Sequence, residues 1–138
     1  MRFLAKNLVA ATAILVVVIN MVPALAADSI SDIEKAYRTF LQAALDKDWK
    51  NITEGSSMEA RKELETIPQE QRPMILDMLK SMSADLVKSK LDSEEVNGEE
   101  SILLLHIPKE KGTNNGRVVM RKEGGRWRVH SQDWKETN

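Results

Sequence analysis

Between Ser29 and Asp46 the apolar residues fall at Ile30, Ile33, Tyr37, Phe40, Leu41, Ala44 and Leu45, the spacing of one face of an amphipathic helix. Ser31-Asp32-Ile33-Glu34 has the form of a capping box at its start, with Asp28 and Ser29 as alternative caps. A weaker helical pattern covers about Ser57 to Thr66 and stops before Pro68. A third follows Pro73, with Met74, Ile75, Met78, Leu79 and Met82 on one face; proline is tolerated in a helix only within the first turn. From about Ala84 the period changes to two, and Asn97-Gly98, Asn115-Gly116 and Gly124-Gly125 give hairpin signals. They divide the remainder into four strands near 85–95, 100–108, 116–122 and 126–132. Helices first and strands after predict one α+β domain, its N-terminal helices packed on a four-stranded antiparallel sheet.

Strand register sorts the side chains into faces. With Gly124 and Gly125 as a two-residue turn, Glu123 pairs with Arg126, Lys122 with Trp127, Met120 with Val129 and Val118 with Ser131. Paired residues share a face, so Val118, Met120, Trp127 and Val129 form the buried side. Arg117, Arg121, Arg126, Arg128 and His130 form the other. With Asn97 and Gly98 as a turn, Leu91 pairs with Leu104, Ser93 with Ile102 and Ser89 with His106. Val87, Leu91, Ile102, Leu104 and His106 are then predicted to face the helices, and Leu103, Leu105 and Ile107 to face away. Strand 101–107, "SILLLHI", is apolar on both sides, which implies either a curled sheet that covers both or a subunit interface.

The first 26 residues read as a cleaved export signal: Arg2 and Lys6, an apolar run from Leu8 to Ile19, then small residues at Ala24 and Ala26. Asn20 and Pro23 break the run before the roughly 20 residues that a membrane span needs. The folded domain is thus expected over 27–138. The chain has no cysteine, so an exported domain must stand on packing without disulfides, and a Gram-negative periplasm fits better than an animal extracellular space; secretion beyond the cell is the alternative. The net charge of −1 becomes about −3 once Arg2 and Lys6 are removed. That excludes a general polyanion binder, and nucleic acid is not expected as a partner.

The helix end "AALDKDWKNI" (Ala43 to Ile52), the helical stretch before the sheet and the closing hairpin "VVMRKEGGRWRVHS" (Val118 to Ser131) resemble the nuclear-transport-factor-2-like superfamily, and more narrowly its secreted bacterial families of unknown function. The resemblance covers nearly all of residues 28–134. It implies a curved sheet wrapped round a long helix, a cone whose open end can hold a ligand, and often a dimer through the outer sheet face. A cystatin-like roll is the nearest structural rival. The superfamily includes isomerases and dehydratases, which need an acid or histidine aimed into the cone.

Candidate chemistry follows from these placements. Tyr37, Met74, Met78, His106 and Trp127 are the predicted lining for a small apolar molecule in the cone. Leu103, Leu105 and Ile107, with Arg117, Arg121, Arg126 and Arg128, are the predicted docking surface for an envelope protein or a second copy. His106 is the one candidate for a catalytic base, and a histidine on an apolar strand is also a plain core or rim residue. Met74, Met78 and Met82 stand at i, i+4 and i+8. Thioethers bind Cu(I), but methionine also fills cores and lines adaptable pockets, and the latter reading is the one adopted: no metal and no cofactor are expected. Trp134 has no place in the alternation. The chain contains no glycine-rich phosphate loop, nucleophile elbow or HExxH motif. It reads first as a binding domain, with an isomerase or dehydratase using His106 as the alternative.

Overall fold

The computed structural model describes residues 30–138; the expected export signal over 1–26 lies outside them. Helix α1 (Asp32–Leu45) begins where the capping box places it. Ser31 Oγ accepts from the Glu34 amide at 3.0 Å, and Asp32 and Glu34 put negative charge in the first turn. The stripe Ile33, Tyr37, Phe40, Leu41 and Ala44 is buried. The helix stops at Asp46, and Lys47 turns the chain with φ of 53°. A short helix α2 (Trp49–Glu54) follows, capped by Asp48, which accepts from the Asn51 amide at 3.1 Å. Six residues are too few for a periodic signal, so this helix was not expected. Ser57 caps α3 (Met58–Glu65) by accepting from the Ala60 amide at 3.2 Å. A 3-10 turn at Gln69–Gln71 leads into α4 (Arg72–Leu86), with Pro73 in its first turn.

The sheet runs in the order β1 (Lys90–Asn97), β2 (Glu100–Pro108), β3 (Thr113–Glu123) and β4 (Arg126–Thr137), antiparallel throughout and not closed into a barrel. The β3–β4 turn is as predicted. Gly124 and Gly125 take φ of 59° and 76°, and Glu123, Lys122 and Met120 pair with Arg126, Trp127 and Val129. A bulge between Val119 and Met120 then shifts the ladder, so Val118 meets Gln132 instead of Ser131. Asn115-Gly116 is not a turn. Both residues lie inside β3, opposite His106 and Leu105, and the connection is Lys109–Gly112, with φ of 74° at Gly112.

The β1–β2 face assignment is reversed. Asn97 pairs with Glu100, so the turn is Gly98-Glu99; moving the turn by one position shifts the pairing by two residues and by itself keeps each paired set on one face. A bulge between Leu91 and Ser93 then shifts the pairing by one, so Leu91 meets Leu105 instead of Leu104. Leu103, Leu105 and Ile107 are therefore core, whereas Leu104 is 42% exposed and His106 stands on the outer face. The core is a single cluster in which α1 (Tyr37, Leu41, Ala44) meets the inner sheet face (Leu103, Leu105, Val118, Met120, Val129), with Ile52 and Leu86 at its borders. Those side chains fill the concave face. Helix α4 packs on α1, and Arg38 ties its end by donating to the Ser89 carbonyl at 2.8 Å. The β4 edge is protected by residues 55–57: the Val129 amide donates to Gly55 O and the Ser57 amide to Val129 O, both at 2.8 Å.

Candidate functional site

A helix packed on a sheet has flanks, and one flank of α1 is left uncovered. Ala36, Thr39, Phe40 and Ala43 border there on a cleft of about 680 Å³, closed on the far side by the start of β4. Trp127 shares the inner sheet face with Met120 and Val129, but it lies near the hairpin tip, where it is only half-buried. Its ring and that of Phe40 make an aromatic floor. Gly55 allows the close approach of α2, because a Cβ there would meet Asn51 O at 3.1 Å and Phe40 Cδ2 at 3.3 Å.

The walls are charged. From the helical side come Asp32, Lys35, Asp46, Asp48 and Glu54; from the hairpin come Lys122, Arg126 and Arg128. Arg128 donates through Nη1 to the Glu54 carbonyl and pairs with Glu123 at 3.9 Å. The Lys122 ammonium stands 6.0 Å from the Trp127 ring centroid. Arg126 is exposed, with no ion-pair partner among the described residues. A cavity of this size with an aromatic floor and a few convergent polar groups suits a small ligand.

The predicted pocket residues are not brought together. Trp127 lines the cleft. Tyr37 does not line it; it is fully buried and donates to Gln132 Oε1 at 2.9 Å, and the Trp134 indole donates to the same oxygen at 3.3 Å. Burial pushes the Tyr37 phenol above its ordinary range, against the opposing charge of Arg38. Met74 and Met78 are 66% and 52% exposed, with Met82 beside them, on the outward side of α4. The helix turns Leu76, Leu79, Ser83 and Leu86 inward instead. His106 Nδ1 bonds Asp92 Oδ1 at 2.7 Å on the outer sheet face, where the bulge displaces Asp92 from the ladder.

The predicted docking set also divides. Leu103, Leu105 and Ile107 are interior. Arg121 pairs with Glu59 at 2.9 Å and with Glu100 at 3.7 Å, Arg126 and Arg128 border the cleft, and Arg117 is exposed. Glu59, the Arg121 partner, has its carboxyl held below its ordinary range by that hydrogen bond.

One arrangement has the composition of a hydrolytic triad: Ser57 Oγ lies 2.8 Å from His130 Nδ1, and His130 Nε2 lies 4.0 Å from Glu59 Oε2. It is structural. Ser57 has no exposed surface, and its oxygen already accepts from the Ala60 amide, so no substrate carbonyl can reach it. Residues 73 apart in sequence meet here, which no local pattern announces. Among the described residues no group of three His, Cys, Asp or Glu side chains could hold a metal ion, and no helix is long and apolar enough to cross a membrane.

No family model matches this sequence, and no curated protein matches it. Among solved structures the chain is similar to a Campylobacter jejuni protein provisionally named an NTF2-like transpeptidase, with a TM-score of 0.45 and 12% identity over 73% of this chain and 99% of that one. It is similar also to an NTF2-like protein of unknown function from Silicibacter pomeroyi (TM-score 0.46, 13% identity, 75% and 92% of the chains). A third is an NTF2-like protein of unknown function from Pseudomonas putida (TM-score 0.41, 17% identity, 80% and 87%).

Proposed function

We propose that this chain is an exported, periplasmic binding module that holds a small molecule in the cleft between α1, α2 and the β3–β4 tip. The observation that carries the reading is the cleft itself: about 680 Å³ with Phe40 and Trp127 as floor, set beside a concave sheet face that its own side chains fill. The ligand is therefore placed on the flank of α1 and not between the helix and the sheet. Export is supported by Arg2, Lys6, the run from Leu8 to Ile19 and the small residues at Ala24 and Ala26. Catalysis by His106 loses support, because that ring lies on the outer face beside Asp92, away from the cleft.

The test is native mass spectrometry of the protein isolated from an envelope extract. An added mass of a few hundred daltons is expected, together with loss of the leader. Thr39 is exposed and borders the cleft, so Thr39→Trp fills the site without entering the core, and the added mass disappears. A bare wild-type protein, or a bound mass that survives Thr39→Trp, rejects the cleft. A second reading, docking of a protein partner that includes a second copy of this chain, now rests on the outer face, where Leu104 is exposed beside Arg117. Leu104→Glu abolishes any such complex; an unchanged assembly removes this reading.

A further inference from the structure

We infer that the cleft takes a dipolar molecule, one with a cationic amine and a carboxylate separated by an apolar body, the chemistry of a free amino acid or of a short peptide with unblocked ends. The inference rests on the cleft being the binding site and adds the class of ligand. Its basis is that charge is segregated by element. The helical side contributes four carboxylates, Asp32, Asp46, Asp48 and Glu54, against one lysine, Lys35; the hairpin side contributes Lys122, Arg126 and Arg128 and no acid.

These charges do not neutralise one another across the gap. Among the described residues Arg128 pairs with Glu123 on its own hairpin, and its reach to the helical side ends on the Glu54 backbone carbonyl, not on a carboxylate. Asp46 accepts from Gln42 at 3.1 Å and Asp48 from Asn51, local bonds that do not reach the hairpin wall. The two walls thus carry opposite sign, and Ala36, Phe40 and Trp127 line the same cleft.

Ligand chemistry follows by elimination. An apolar molecule displaces water from both charged walls and returns no polar contact. An anion gains the hairpin but meets the carboxylates, and a cation gains the carboxylates but meets the guanidinium groups; like-charge juxtaposition is costly. A dipolar ligand complements both walls, and its side chain or backbone rests on the aromatic floor.

The experiment records amide NMR spectra of the full chain with two probes, phenylalanine and Ala-Phe-Ala. Each is offered with free ends, N-acetylated, C-amidated and blocked at both ends. The free-ended form shifts the signals of Lys122, Arg126 and Trp127, and blocking either end weakens binding about tenfold; whichever probe binds distinguishes amino acid from peptide. Arg126→Glu, at an exposed position, weakens the free-ended form more than the C-amidated one while the rest of the spectrum is unchanged. Equal binding of all four forms at the cleft overturns the dipolar inference and leaves the binding site standing. If none of them shifts the cleft signals, the dipolar inference is also overturned, and the native mass then decides the site: a bound mass retains it, whereas a bare protein removes it as well.

Discussion

Tyr37 is the single tyrosine of the chain, which makes its burial measurable. Its phenol is raised above the ordinary value of 10.0, so the folded state holds the proton more tightly than the unfolded chain does. The stability this contributes is complete below pH 10 and is lost as pH rises above it. A spectrophotometric titration is therefore expected to show phenolate appearing only as the helical signal collapses; ordinary ionisation with the fold intact contradicts the burial. Glu59 behaves in the opposite sense. Arg121 holds its carboxyl below the ordinary 4.5, so its contribution is present above that pH and lost as pH falls below it. Glu59→Gln flattens the acid limb of the stability profile, by a small amount because the side chain is exposed. Gly116 is a steric case: a Cβ there would lie 2.6 Å from the Trp134 ring. Gly116→Ala is expected to cost roughly 1–3 kcal/mol in chemical denaturation, and an unchanged midpoint would show that the ring moves aside.

Periodicity located most of the helices and strands, while β-bulges in β1–β2 and β3–β4 decided which residues stand opposite each other. Ser31, Ser57 and the Gly124-Gly125 turn are local devices, and each sits where its residue type placed it. The bulge between Leu91 and Ser93 sets Leu91 opposite Leu105 instead of Leu104, and Leu105 is the one in the core. Because β2 is apolar on both sides, nothing in it opposes either choice; only the covering helix selects a face. Helix α4 shows the same ambiguity, since Leu76 and Leu79 compete with Met74, Met78 and Met82 for the interior. Two substitutions separate the roles. Met78→Gln is expected to change stability by less than about 0.5 kcal/mol, whereas Leu105→Ala costs about 2–5 kcal/mol, both read from urea midpoints. At the β4 edge, Ser57→Ala loses a helix cap worth about 1 kcal/mol together with the His130 hydrogen bond. Ser57→Thr restores the cap, so a variant as weak as alanine would assign the loss to packing.

For the molecule as a whole, stability without disulfides places the burden on one core that α1 and the sheet share. The proposed cleft lies on the flank of α1 and shares Phe40 and Ala43 with that core. Ligand removal is thus expected to lower the melting temperature without changing the fold. At a free ligand concentration a hundred times Kd the loss corresponds to about 2.7 kcal/mol, read by comparing the protein as isolated with protein unfolded, dialysed and refolded. Identical melting of the two samples would mean that nothing occupied the cleft.

What the sequence determined by itself is the part governed by neighbours a few residues apart: helix periodicity, caps, the glycine-glycine hairpin, the order of helices before strands, and Trp127 on the inner face of β4. The cleft was not legible. Asp32, Lys35 and Thr39 lie off the apolar stripe of α1, and Asp46, Asp48 and Glu54 lie at the ends of α1 and α2. Each looked like an ordinary solvated residue. They line one cleft only because the fold brings them together with Lys122, Arg126 and Arg128, more than 60 positions away in the chain. Long-range apposition, bulges and the choice between two apolar faces depend on which surfaces meet when the core closes, and local spacing carries no record of that.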